Sequence, residues 1–119
     1  MPDAKQFRIL SFGYEPVLLA IRALLLRKAG YRVQNTLSLE SVMRQLESGE
    51  FHLLIICHTV PSDEQNSLIA SVHSLRPGLR VVCLSPLPTL SRRGVCAVAA
   101  TTAPEFLEDI EQALLRRAS

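Results

Sequence analysis

Cys57 is the residue best placed to do chemistry in this 119-residue chain: it ends the run Phe51-His52-Leu53-Leu54-Ile55-Ile56 and precedes His58, Thr59 and Pro61. A thiol beside an imidazole is a candidate nucleophile with its base. Neighbours in an extended strand point to opposite faces, however, so Cys57 and His58 do not meet side chain to side chain while the strand continues. A redox sensor is another use of Cys57, with Cys83 on a neighbouring strand, although no cation close to it in sequence argues for an activated thiolate. Cys57, Cys83 and Cys96 all lie in apolar runs, and an odd number without paired spacing fits neither a disulfide framework nor a zinc site. The expectation is three reduced, mostly buried thiols acting as small hydrophobes. His52 and His73 show no metal-ligand spacing and read as surface or satisfied histidines. Gly13 has none of the glycine companions of a nucleotide-binding turn. No metal and no cofactor is expected.

The elements that must position these residues follow from the apolar pattern. Leu53 to Ile56 gives four large aliphatics without alternation, the mark of a strand buried on both faces of a parallel sheet. It should be the central strand, and in an open α/β sheet ligands bind just beyond the carboxyl ends of the strands, where Cys57 stands. Before it, residues 6–12 form a β-type run that turns at Gly13-Tyr14-Glu15 into a helix with Pro16 in its first turn. That helix is unusually apolar (Leu18, Leu19, Ile21, Ala23, Leu24, Leu25, Leu26), is broken by Arg22, Arg27 and Lys28, and ends at Gly30. Such a helix is expected to pack on the sheet. Residues 31–36 alternate apolar and polar, as an edge strand does. Ser38 caps a second helix carrying Val42, Met43 and Leu46 that stops at Gly49.

After Pro61, Ser62 and Gln65 are spaced as a capping box for a third helix with Leu68, Ile69, Val72 and Leu75. Residues 79–85 form a buried strand ending at Ser85. Two prolines in residues 86–94 leave room for about one helical turn at most. Residues 95–100 make a last short strand, and Thr102 with Glu105 forms a second capping box opening a final helix. The order predicts an α/β fold: a doubly wound, parallel five-stranded sheet with helices on both faces. The whole chain, residues 1–119, is expected to be one domain.

A net charge of +2, with 13 basic against 11 acidic residues, is no nucleic-acid footprint; the pairs Arg92-Arg93 and Arg116-Arg117 read as solvated surface. The start shows no long apolar run of a signal peptide, and Arg22 and Arg27 interrupt the longest apolar stretch too early for a membrane span. A cytoplasmic protein that binds neither nucleic acid nor membrane is expected.

Residues 9–16, 30–33, 51–61 and 81–85 resemble the receiver domains of two-component response regulators, with their flavodoxin-like fold and strand order 2-1-3-4-5. The resemblance covers nearly the whole chain and implies a phosphorylation pocket at the strand ends. It assigns Gly13 and Tyr14 to the acidic pair that holds Mg²⁺, Cys57 to the phosphoacceptor aspartate and Ser85 to the conserved hydroxyl. The lysine position falls at Thr101, or at Ala103 counted back from Pro104. Only Ser85 keeps the family's residue type. Mg²⁺ is a hard ion that binds oxygen, and Gly13, Tyr14 and Cys57 offer no carboxylate. The segment between the fourth and fifth strands is also shorter than the family pattern, so the helix there is expected to be shortened or absent. Together these departures imply a pseudo-receiver: a non-enzymatic signalling domain that binds another signalling protein or an output domain without aspartyl phosphorylation. The alternative is a thiol-based or small-ligand sensor at the strand-end pocket around Gly13, Tyr14, Cys57 and Ser85. Tyr14 is expected to cover the former metal pocket with its ring.

Overall fold

A computed structural model describes residues 7–85, 95–99 and 103–115. The elements run β1 (Arg8–Phe12), α1 (Pro16–Lys28), β2 (Arg32–Thr36), α2 (Leu39–Ser48), β3 (Leu53–Ile56), α3 (Ser62–Leu75), β4 (Arg80–Ser85), β5 (Val95–Ala99) and α4 (Ala103–Leu115). The five strands form one parallel sheet in the order β2-β1-β3-β4-β5, so β3 is central and β2 is an edge, as the sequence implies. The expected loss of a helix within residues 86–94 and the capping box at Thr102 lie outside the described residues.

Two cores lie on opposite faces of the sheet. On one, Leu10, Phe12, Leu54, Ile56, Val81 and Cys83 pack against Val42 and Leu46 of α2 and Leu68, Ile69 and Val72 of α3. On the other, Ile9, Leu53, Ile55, Val82 and Leu84 meet Leu26 of α1 and Phe106, Ile110, Ala113 and Leu114 of α4. All four residues of β3 are fully buried, which is why its pattern shows no alternation; each such side chain contributes about 1.5–3 kcal/mol of apolar burial.

Helix ends follow local chemistry. The Glu15 carboxylate accepts from the Val17 N–H with Pro16 at the first helical position, and α1 stops where Gly30 takes φ 103°, a conformation that favours glycine. Ser38 Oγ accepts from the Ser41 N–H and caps α2. Arg76, just past α3, donates to the carbonyls of Leu46 (2.7 Å) and Gly49 (3.2 Å), giving a cation to the end of α2, whose last turn carries no basic residue.

Two expectations need correction. The Ser62–Gln65 capping box does not form: Ser62 is already helical, Pro61 is the N-cap without a side-chain bond, and Gln65 Nε2 turns back to the Val60 carbonyl at 2.8 Å. The apolar α1 also buries less than its composition implies. Leu19, Ala23 and Leu26 are buried, whereas Val17, Ile21 and Leu24 are 63%, 52% and 57% exposed. A thirteen-residue helix on a sheet has only one inward stripe, and these three lie on the other side.

Candidate functional site at the strand ends

Gly13 leaves β1 and Cys57 leaves β3, and parallel pairing sets them side by side: the Cys57 N–H donates to the Phe12 carbonyl at 2.8 Å. A Cβ placed on Gly13 would lie 2.6 Å from Cys57 Cβ, 3.2 Å from Thr59 Oγ1 and 3.4 Å from Cys57 Sγ. Glycine is therefore needed here for close approach. A tight turn follows, with the Val60 N–H donating to the Cys57 carbonyl, and it brings Thr59 Oγ1 under the Tyr14 N–H at 3.0 Å.

Arg22 was legible in the sequence only as an interruption of α1. In the fold its Nη1 donates to Cys57 Sγ at 2.8 Å, and the thiol is fully buried. Sequence neighbours had offered Cys57 no cation; a residue 35 positions away supplies one. A signal did exist, since Arg22 sits between Leu19, Ala23 and Leu26 on the inward side of α1, where a charge needs a partner. His58 Nδ1 lies 3.9 Å from Sγ, which is possible because Cys57 and His58 fall beyond the end of β3 rather than inside it. The imidazole is nearby, but the guanidinium is much closer.

Tyr14 reaches from the end of β1 to α3. Its ring meets Phe12 edge-on at 5.4 Å, and its hydroxyl donates to Glu64 Oε1 at 2.8 Å, leaving the residue 41% exposed. The phenol is held above its ordinary pKa by partial desolvation, by the hydrogen bond to Glu64 and by that carboxylate's charge. Thr59 and Glu64 are thus two partners that the sequence reading did not single out. Ser85 ends β4 opposite Ala99. Thr101 lies outside the described residues. Cys57 and Cys83 are reduced and buried as expected, and the side chain of Cys96 is outside what is described.

Among the described residues no group of three or more His, Cys, Asp or Glu side chains is placed to hold a metal ion. None of their helices is long and apolar enough to cross a membrane. His52 is satisfied, its Nδ1 accepting from the Arg8 N–H at 2.9 Å and its ring meeting Phe7 edge-on. On the other side of β1 an open cleft of about 370 Å³ is lined by Pro16, Leu19, Asn35, Thr36, Leu37, Ser38 and Ser41.

No protein-family model matches the chain, and no curated protein matches it. Solved structures do. A response regulator receiver domain of Methanospirillum hungatei superposes with a TM-score of 0.76 at 21% identity, over 91% of this chain and 93% of that one. The chain has the receiver fold. A Burkholderia pseudomallei protein described as pilus assembly-related shares that receiver fold, with a TM-score of 0.81 at 19% identity over 100% and 97% of the two chains. The response regulator TrrA of Thermotoga maritima, solved with Mg²⁺ and BeF, gives 0.77 at 18% identity over 91% and 99%, and the same regulator has been solved with the histidine kinase ThkA.

Proposed function

We propose that this chain is a receiver-fold signalling module that works by binding another protein and does not pass through an aspartyl phosphate. One observation carries the reading. Where the resemblance calls for a metal-binding carboxylate, Gly13 abuts Cys57 so closely that a Cβ there would lie 2.6 Å from Cys57 Cβ, and the Arg22 guanidinium already stands against the Cys57 sulfur. Phosphoryl transfer in a receiver needs oxygen ligands for Mg²⁺ and a carboxylate acceptor; Gly13, Tyr14 and Cys57 supply neither. Of the nearby carboxylates, Glu64 is engaged by the Tyr14 hydroxyl and Glu15 by the Val17 N–H. The Thermotoga regulator of the same fold, solved with a histidine kinase, supports a signalling protein as the class of partner.

The test is intact mass after incubation with Mg²⁺ and acetyl phosphate. Neither the wild type nor Cys57→Asp should gain a phosphoryl group, because the new aspartate would face Arg22 with no metal carboxylates beside it. Each missing electrostatic contact of that kind costs about 3 kcal/mol, or roughly a hundredfold in rate. Robust labelling of Cys57→Asp would overturn the reading.

A second reading, a thiol sensor, draws support from the Arg22–Cys57 contact, since reactive cysteines sit beside cations. Attack of the Cys57 sulfur on hydrogen peroxide would form the sulfenic acid and release water. Gain of a single oxygen at Cys57 under mild peroxide, lost in Arg22→Leu, would favour the sensor; an unmodified chain leaves the interaction reading alone.

A further inference from the structure

The outer face of α1 carries three of the six large apolar side chains that are exposed among the described residues: Val17, Ile21 and Leu24. With Lys28 they are spaced four, three and four apart, so at about 100° per residue all four fall within about 60° of arc. That is the spacing of a coiled-coil seam. The inward residues Leu19, Ala23 and Leu26, and Arg22 beside them, lie on the opposite side and are committed to the sheet and to Cys57.

The charges at the two ends of this seam are opposite. Glu15 caps the N-terminus of α1, and Lys28 closes its last turn. The helix macrodipole has the opposite polarity, positive where Glu15 stands and negative where Lys28 stands, so each charge also favours its own helix end. A second α1 laid antiparallel about a two-fold axis through the middle of the seam would set Ile21 against the partner's Leu24 and Val17 under the stem of the partner's Lys28. That lysine's ammonium would then reach the partner-facing Glu15 carboxylate. The arrangement repeats itself by symmetry, as an isologous interface requires, and it opposes the two macrodipoles.

We propose that α1 is a self-association surface whose occupant is a second copy of this chain, paired antiparallel through Val17, Ile21, Leu24 and Lys28 with Glu15 and Lys28 joined at both ends. The proposal deepens the interaction reading above by naming a partner, and it rests on that reading. Three apolar side chains a side cover less than the roughly 1,200 Å² of a standard interface, so the dimer is reversible and depends on concentration.

Sedimentation velocity from about 5 μM to about 1 mM tests it, a range that brackets a weak pair. The wild type should shift from monomer to dimer across that range. Ile21→Glu, at an exposed position, should weaken association by at least about tenfold while melting within a few degrees of the wild type. Lys28→Glu and Glu15→Lys should each stay monomeric, because each sets like charges together at both ends. Mixed in equal amounts they should dimerise, because each restores the other's pairs. A wild type that stays monomeric throughout overturns self-pairing while leaving the acetyl phosphate test of the interaction reading intact. A dimer indifferent to Ile21→Glu, or a mixture no better than its components, overturns this geometry.

Discussion

The two sides of the β1 carboxyl end are built to opposite rules. Toward β3 the described residues are tightly packed: Gly13 abuts Cys57, and Arg22 donates to its sulfur. Toward β2 the chain is open: a cleft of about 370 Å³ lies between the starts of α1 and α2, and the buried Thr36 hydroxyl on its wall has no hydrogen-bond partner among the described residues. In an open α/β sheet the crevice where the strand order reverses, here between β1 and β3, is the customary ligand site. Among the described residues, Gly13, Cys57 and Arg22 are packed against one another at that crevice. The contrast teaches that a fold can keep the scaffold of a site while the residues there change, so that function must be argued from those residues.

The contrast can be broken most forcefully at Gly13. Gly13→Ala should destabilise the protein by about 2 kcal/mol, the cost of forcing a methyl into a packed contact, read as a lower midpoint in urea. An unchanged midpoint would mean that the closed side is not close-packed. On the open side, Ser38→Ala should cost about 1 kcal/mol by removing the cap of α2. Its measurable sign is an earlier loss of helical signal on heating.

The smallest effect belongs to Tyr14→Phe, which removes an exposed hydrogen bond to Glu64 and should change the midpoint at neutral pH by no more than about 0.5 kcal/mol. Its value is in the pH profile. Tyr14 and Tyr31 are both raised above the ordinary 10.0, Tyr14 by desolvation and then Glu64, Tyr31 by desolvation and then Glu111. The folded state therefore keeps these protons after the unfolded chain has released them. Their contribution to stability is complete below pH 10 and falls as pH rises past it. In Tyr14→Phe that alkaline loss should be smaller, with the Tyr31 part remaining; an identical profile would remove Tyr14 from the account.

The strands were legible because their signals are local. The unbroken Leu53–Ile56 run announced a central strand, and the alternation of residues 31–36 announced an edge. Cys57 was found for the same reason, as the residue where an apolar run stops. What surrounds it was not legible, because Arg22 reaches it across 35 positions and only the packing of α1 on the sheet decides where that guanidinium points. The partner of the Tyr14 hydroxyl was not legible on similar grounds, because Glu64 on α3 lies 50 positions away. The Ser62–Gln65 pattern misled because a capping box requires a non-helical Ser, and Pro61 had already begun the turn.

The Arg76 side chain that spans from the end of α3 to the last carbonyls of α2 ties the two helices together. Its hydrogen bonds exist only while both helix ends are folded, so undocking α3 would strip the Leu46 and Gly49 carbonyls of this donor. Seen as a matter of cooperative opening, the α2–α3 face of the sheet should come apart as one unit in hydrogen exchange.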